Sequence, residues 1–135
     1  MAYSFDPKRH YRMPTHFGPS LGPRQGLDGR RFSCKKTPLV KTYAASFEAD
    51  AKQVEKLLPT GFTIAGEPKI SIQFGMLREV EWLAGRGYNV FGVSVPARFE
   101  GKQDDVTGDF LLVLWENHAD PILTGREDLG FSKIY

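Results

Sequence analysis

Lys133 stands near the end of the sequence with Phe131 and Tyr135 two residues to either side. In an extended tail side chains alternate, so both rings fall on the face of the lysine. A lysine so flanked loses hydration, which disfavours its charged form, and a neutral amine can attack a carbonyl carbon. The same pattern suits a lysine whose stem lies on aromatic surface while its ammonium reaches water, and the residues alone leave both readings open. Other chemical candidates carry less. His10, His16 and His118 lack metal-ligand spacing, and the single Cys34 cannot found a zinc site. Gly125-Arg-Glu-Asp-Leu-Gly130 has two of the glycines of a dinucleotide fingerprint and no helical pattern after it. Asp104-Asp105 reads as a pair of solvated turn acids, and no serine stands in a Gly-x-Ser-x-Gly elbow. Neither a metal nor a cofactor is expected.

The elements that must position Lys133 are mostly strands. Residues 39–47 are β-favourable, with Leu39, Tyr43, Ala45 and Phe47 on one face. Asp50 can cap the amide of Gln53 while Gln53 reaches back. Val54, Leu57 and Leu58 then share one side, and Pro59-Thr60-Gly61 stops the helix. This is the one helix expected. Ile70, Ile72, Phe74, Met76, Val80 and Trp82 form an even-numbered apolar face, predicting a long half-buried strand kinked at Gly75. After Gly85-Arg86-Gly87 the apolar parity switches to Phe91, Val93, Val95, Ala97 and Phe99, with Pro96 opposite, marking an edge or a bulge. Residues 100–108 read as a polar loop, and Phe110 to Trp115 as a strand buried on both faces. Asn117 to Asp120 should turn, and Pro121 to Thr124 should be extended. The fold class is therefore α+β and β-rich: five or six strands in a strongly curved antiparallel sheet or part of a barrel, with one short helix.

Composition agrees with a single ordinary domain of 135 residues, 41% hydrophobic, 13% aromatic and 25% charged. No apolar run approaches a membrane span, the N-terminus lacks the apolar core of a secretory signal, and one cysteine suits a reducing compartment. A cytoplasmic protein is expected. The net charge of +2 is unevenly spread: residues 1–41 hold nine basic side chains against Asp6 and Asp28, while the remainder holds nine basic against fourteen acidic. Residues 1–38 thus form a basic, Pro/Gly-rich extended arm, and residues 39–135 the β-rich domain. Because Tyr11, Phe17, Leu21, Leu27 and Phe32 interleave with its charges, the arm should pack on its own body or on another subunit. It should not bind nucleic acid.

The segment from Gly108-Asp109-Phe110 through Leu123-Thr-Gly-Arg-Glu to Gly130-Phe131-Ser132-Lys133 resembles the acetoacetate decarboxylase family, whose members end an apolar strand and a Gly-Arg-Glu element on a Schiff-base lysine. Leu57-Leu58-Pro59-Thr60-Gly61-Phe62 and Glu67-Pro68 are similar to that family's N-terminal half, in the same order, so the likeness covers about residues 39–135. It implies Lys133 as nucleophile, a closed cone-like barrel and large homo-oligomers. The family is the usual example of a lysine activated by an apolar pocket or a neighbouring cation. Here Ile134 takes the place of the second lysine seen in some members, leaving Phe131, Tyr135 and the Phe110–Trp115 strand as desolvating walls; Ser132 replaces the usual proline. Val90 and Gln73 fall where the decarboxylases carry carboxylates. Members also continue well past this lysine, so a fragment, one chain of a split protein whose second chain completes the barrel, or a truncated paralogue is expected.

The resemblance implies a lyase that decarboxylates a β-keto acid such as acetoacetate through an imine on Lys133. Arg126 is the candidate for the substrate carboxylate, because its planar fork suits that group. Glu127 would orient Arg126 or shuttle protons, and Gln73, Val90 and Phe131 would line the substrate pocket. The Arg126-Glu127 pair reads equally as a structural ion pair. Two other functions stay open: an aldolase–dehydratase using the same lysine on a keto acid, and a non-catalytic oligomeric or binding protein.

Overall fold

The computed structural model describes residues 4–9, 11–12, 20–21, 25–26, 28–33 and 35–135. Of the residues weighed above, His10, His16, Phe17, Leu27 and Cys34 lie outside the described residues. The chain divides into two compact units, residues 1–39 with 77–87 and residues 40–76 with 88–135.

In the first unit, β1 (Tyr11–Arg12) pairs antiparallel with β2 (Ser20–Leu21), where no strand was expected. The Tyr11 ring stands edge-on to Phe5 at 5.1 Å between centroids, and its hydroxyl accepts from the Asp6 amide at 3.0 Å. The other part of this unit corrects the period-two reading across 80–82. The strand ends at Arg78, Glu79 adopts φ 55°, and Glu81–Leu83 form a 3-10 turn closed by Ala84, also at φ 55°. Two non-glycine residues in the left-handed region reverse the chain here, and the turn buries Val80 and Leu83.

The second unit is built on a six-stranded mixed sheet. β3 (Leu39–Glu48), β5 (Lys69–Arg78), β6 (Tyr88–Glu100), β7 (Asp105–Glu116) and β8 (Lys133–Ile134) lie in that order, and β4 (Phe62–Ile64) pairs with β6 off this path. The sheet is not the antiparallel one expected, because β8 runs parallel to β7. A parallel pair needs a crossover between its strands. The crossover is α2 (Ala119–Leu129), the longest helix, lying where a turn and an extended segment were expected.

Helix α1 (Ala51–Glu55) forms where the capping signal lies. Asp50 accepts from the Gln53 amide at 3.1 Å, and Val54 is buried. The box closes on that side only: the Gln53 side chain instead accepts from Lys56 at 3.2 Å, and Leu57 is exposed. Replacing Asp50 with alanine removes one side-chain cap, which is worth about 1 kcal/mol. Asp50→Ala should therefore lower the thermal unfolding midpoint by a few degrees without changing far-UV circular dichroism. An unchanged midpoint would show that the cap is not used.

The centre of the sheet is the β6–β7 pair. Its register shifts between Val93 and Ser94, so the bulge foreseen near Pro96 occurs two residues earlier, and Pro96 is buried in a central strand rather than at an edge. The polar loop shrinks to Gly101–Asp104, because β7 begins at Asp105. Arg98 donates twice to Asp105 at 2.7 Å, and the guanidinium holds that carboxyl below the usual carboxylate range. The pair is exposed, so it orients the hairpin more than it stabilises it. Gly75 answers to a close approach: an added Cβ would lie 2.8 Å from Val90 Cγ2. The run from Phe110 to Leu114 is half-buried rather than buried on both faces, and Trp115 is exposed. Phe62 packs on Phe99 and Phe110 with centroids 4.9 and 5.0 Å away. No helix among the described residues is long and apolar enough to cross a membrane.

Candidate active site

Lys133 begins β8, opposite Leu114 of β7 in the parallel register. Leu114 N donates to Ser132 O at 3.1 Å and the Ser132 hydroxyl to Leu111 O at 3.3 Å, so the residue before the lysine is tied to β7 twice. In a strand alternate residues share a face. Leu114 and Glu116 therefore present their side chains to the same face as Lys133.

The cover on that face is α2, and its local chemistry explains why it forms. His118 is extended and accepts the Asp120 amide on Nδ1 at 3.3 Å, an unusual cap. Pro121 falls in the first turn, where a missing amide costs no intrahelical bond. Asp120 near the start and Arg126 near the end suit the helix dipole. Gly130, at φ 70°, ends the helix, and Phe131 N returns to Gly125 O at 3.0 Å. The buried face of α2 is Pro121, Ile122, Thr124 and Gly125. It is small and carries no apolar stripe, so periodicity did not reveal it.

Gly125 is needed for space. A Cβ there would overlap Cδ, Cε and Nζ of Lys133. Through that gap Lys133 Nζ reaches Glu116 Oε1 at 2.9 Å and donates to Pro121 O at 3.1 Å. The side chains are 10% exposed for the lysine and 1% for the glutamate, so the pair is withdrawn from water. Nζ also lies 5.6 Å from the Phe131 ring centroid. The lysine is thus not one that snorkels to solvent. Glu116 Oε2 is buried without a hydrogen-bond partner, alone in this among side-chain oxygens and nitrogens of the described residues. An unmade hydrogen bond of a buried group costs on the order of 1–3 kcal/mol, and more when the group is charged.

The residues singled out from the sequence are distributed around this pair. Arg126, Phe131, Ser132 and Lys133 line one cavity of about 430 Å³. Gln73 and Val90 line another of about 280 Å³, with Gly92, Ser94, Leu111 and Leu114. Leu114, the register partner of Lys133, belongs to this second wall, and Val90 is the register partner of Glu116. Glu127 is exposed, with no contact to Lys133 among those the structure records, and the carboxylate beside the amine is that of Glu116. Sequence reasoning missed Glu116. The available signal was its parity: Glu116 falls two residues after Leu114 at the end of an apolar run, a position that a solvent-facing acid would not take. No group of three or more histidine, cysteine or acidic side chains among the described residues is arranged to hold a metal.

The family model for acetoacetate decarboxylase matches residues 12–135. The chain belongs to the acetoacetate decarboxylase family. Among solved structures, the enduracididine biosynthesis enzyme MppR complexed with the condensation product of pyruvate and imidazole 4-carboxaldehyde superposes with a TM-score of 0.58 at 18% identity, covering 85% of this chain and 48% of that one. The same enzyme complexed with pyruvate gives 0.58 at 17% identity, over 84% and 48% of the two chains. An acetoacetate decarboxylase-like enzyme from Sphingomonas wittichii RW1 gives 0.55 at 18% identity, over 70% and 38%. At these identities the likeness shows the fold. The chain spans about half the length of the MppR structures. No curated protein sequence matches it.

Proposed function

We propose that this member of the family is a Schiff-base-forming carbon–carbon lyase that acts on a small keto acid through Lys133. The observation that carries the reading is the burial of Lys133 Nζ between Glu116 and Pro121 O, on a cavity shared with Arg126. The amine attacks the keto carbon, water leaves, and the protonated imine accepts the electron pair released when a neighbouring carbon–carbon bond breaks. Decarboxylation of a β-keto acid such as acetoacetate is the leading reaction. Arg126 offers a planar fork to the carboxylate of the substrate, and Phe131 gives the amine an apolar neighbour. Assembly with further copies, or with a second chain that completes the pocket, belongs to the same proposal.

A second reading, aldol condensation with dehydration on a keto acid, is favoured by the wall that Gln73 and Val90 form. That wall is largely apolar and carries no carboxylate. MppR, with a bound condensation product of pyruvate, also supports it. Product analysis separates the two. Incubation with acetoacetate should release carbon dioxide at a rate that scales with enzyme. If pyruvate and an aromatic aldehyde instead yield a dehydrated condensation product while acetoacetate stays intact, the second reading replaces the first. If neither substrate is consumed, both fail.

A further inference from the structure

We infer that Glu116 is the acid–base catalyst of imine formation at Lys133, its carboxyl group taking a proton from the ammonium and returning it to the carbinolamine hydroxyl. The inference rests on the Schiff-base reading above and assigns a role that the reading leaves open. Three observations carry it. Oε1 touches the reacting nitrogen at 2.9 Å, the glutamate side chain is 1% exposed, and Oε2 is buried with no partner. A purely structural ion pair gains most when every lone pair is satisfied, and here one oxygen of the carboxylate is left open. The other acceptor on Nζ, Pro121 O, holds a hydrogen bond and cannot carry a proton away.

The proton inventory closes on this one carboxylate. Oε1 takes a proton from the Lys133 ammonium, giving a neutral amine and a carboxylic acid. The nitrogen lone pair forms a bond to the keto carbon, and the carbonyl electrons move to its oxygen. A proton passes from that nitrogen to the oxygen, giving a neutral carbinolamine. The carboxyl group turns about its Cγ–Cδ bond, which carries the protonated oxygen into the unpartnered position that Oε2 held, and from there it protonates the hydroxyl. Water leaves as the nitrogen lone pair forms the carbon–nitrogen double bond. Ammonium and ketone have become protonated imine and water, and Glu116 is again a carboxylate. No other reactant is required. The site, one-tenth exposed at the lysine and closed at the glutamate, keeps bulk water from doing the same work.

The test is the rate of borohydride trapping of acetoacetate on Lys133, followed by mass spectrometry of the complete natural chain. The wild type should give a reduced adduct on Lys133. Glu116→Gln should give the same adduct at least a hundredfold more slowly at saturating acetoacetate, with the half-saturating concentration changed less than threefold. A residue that only places the lysine would shift that concentration instead. Glu116→Asp keeps the charge pair but draws the carboxylate back by a methylene, and should recover part of the lost rate. It also decides the matter if Glu116→Gln does not fold, since trapping in Glu116→Asp at least tenfold below wild type supports the role. A wild-type adduct with either folded variant trapping within twofold of wild type overturns the role of Glu116 and leaves the Schiff-base reading intact. No wild-type adduct overturns both.

Discussion

Lys133→Ala is expected to abolish borohydride-trapped adducts with acetoacetate and with pyruvate, and to destabilise the protein at the same time. The loss of trapping follows from removing the nitrogen that forms the bond. The loss of stability has a separate origin: alanine leaves the Glu116 carboxylate buried and unpaired, and breaking a buried pair from one side costs about 3–5 kcal/mol. The two effects separate in the double variant Lys133→Met/Glu116→Gln. It removes both charges while keeping similar volume, so most of the stability should return while trapping stays absent. Chemical denaturation and mass spectrometry of the three proteins measure the two effects. Trapping that persists in Lys133→Ala, or moves to Lys69 or Lys102, would remove Lys133 from the mechanism. Equal stability of the single and double variants would show that the ion pair is not buried.

Gly125→Ala is expected to disable the site from the helix side. By propensity alone alanine should improve α2 by up to about 1 kcal/mol. The new methyl group, however, enters the space filled by Cδ, Cε and Nζ of Lys133. Those atoms are the far end of a flexible side chain, so the lysine moves and the backbone need not. The displaced amine loses Glu116 and Pro121 O together. Trapping should fall by at least a hundredfold, equivalent to about 2.7 kcal/mol on the barrier, in a chain whose far-UV circular dichroism still matches wild type. Gly130→Ala is the control. Gly130 has φ 70° but no atom within 4 Å of an added Cβ, so strain there should lower stability while sparing the rate more. Trapping at the wild-type rate in Gly125→Ala would mean that α2 does not confine the lysine.

What the sequence determined by itself was local in origin. Alternation over residues 70–76 and 91–99 specified strands, because side chains on a pleated chain point to opposite faces. Asp50 three residues before Gln53 specified the start of α1, because an aspartate oxygen reaches that amide in no other local conformation so well. The run from Gly108 to Lys133 pointed to the family that the match over residues 12–135 shows. Tertiary structure decided the rest. Helix α2 was hidden because its cap is a histidine, its first turn holds a proline, and its buried face carries Thr124 and Gly125 where an apolar stripe would stand. Gly125 weakens a helix by propensity and is explained only by the lysine that crosses it. The end of β5 at Arg78 followed from a left-handed Glu79, which alternation does not encode. Glu116 and Lys133, seventeen positions apart in sequence, meet because a crossover helix returns the chain parallel to β7. That register is set by packing between distant segments, and no periodicity within either segment carries it.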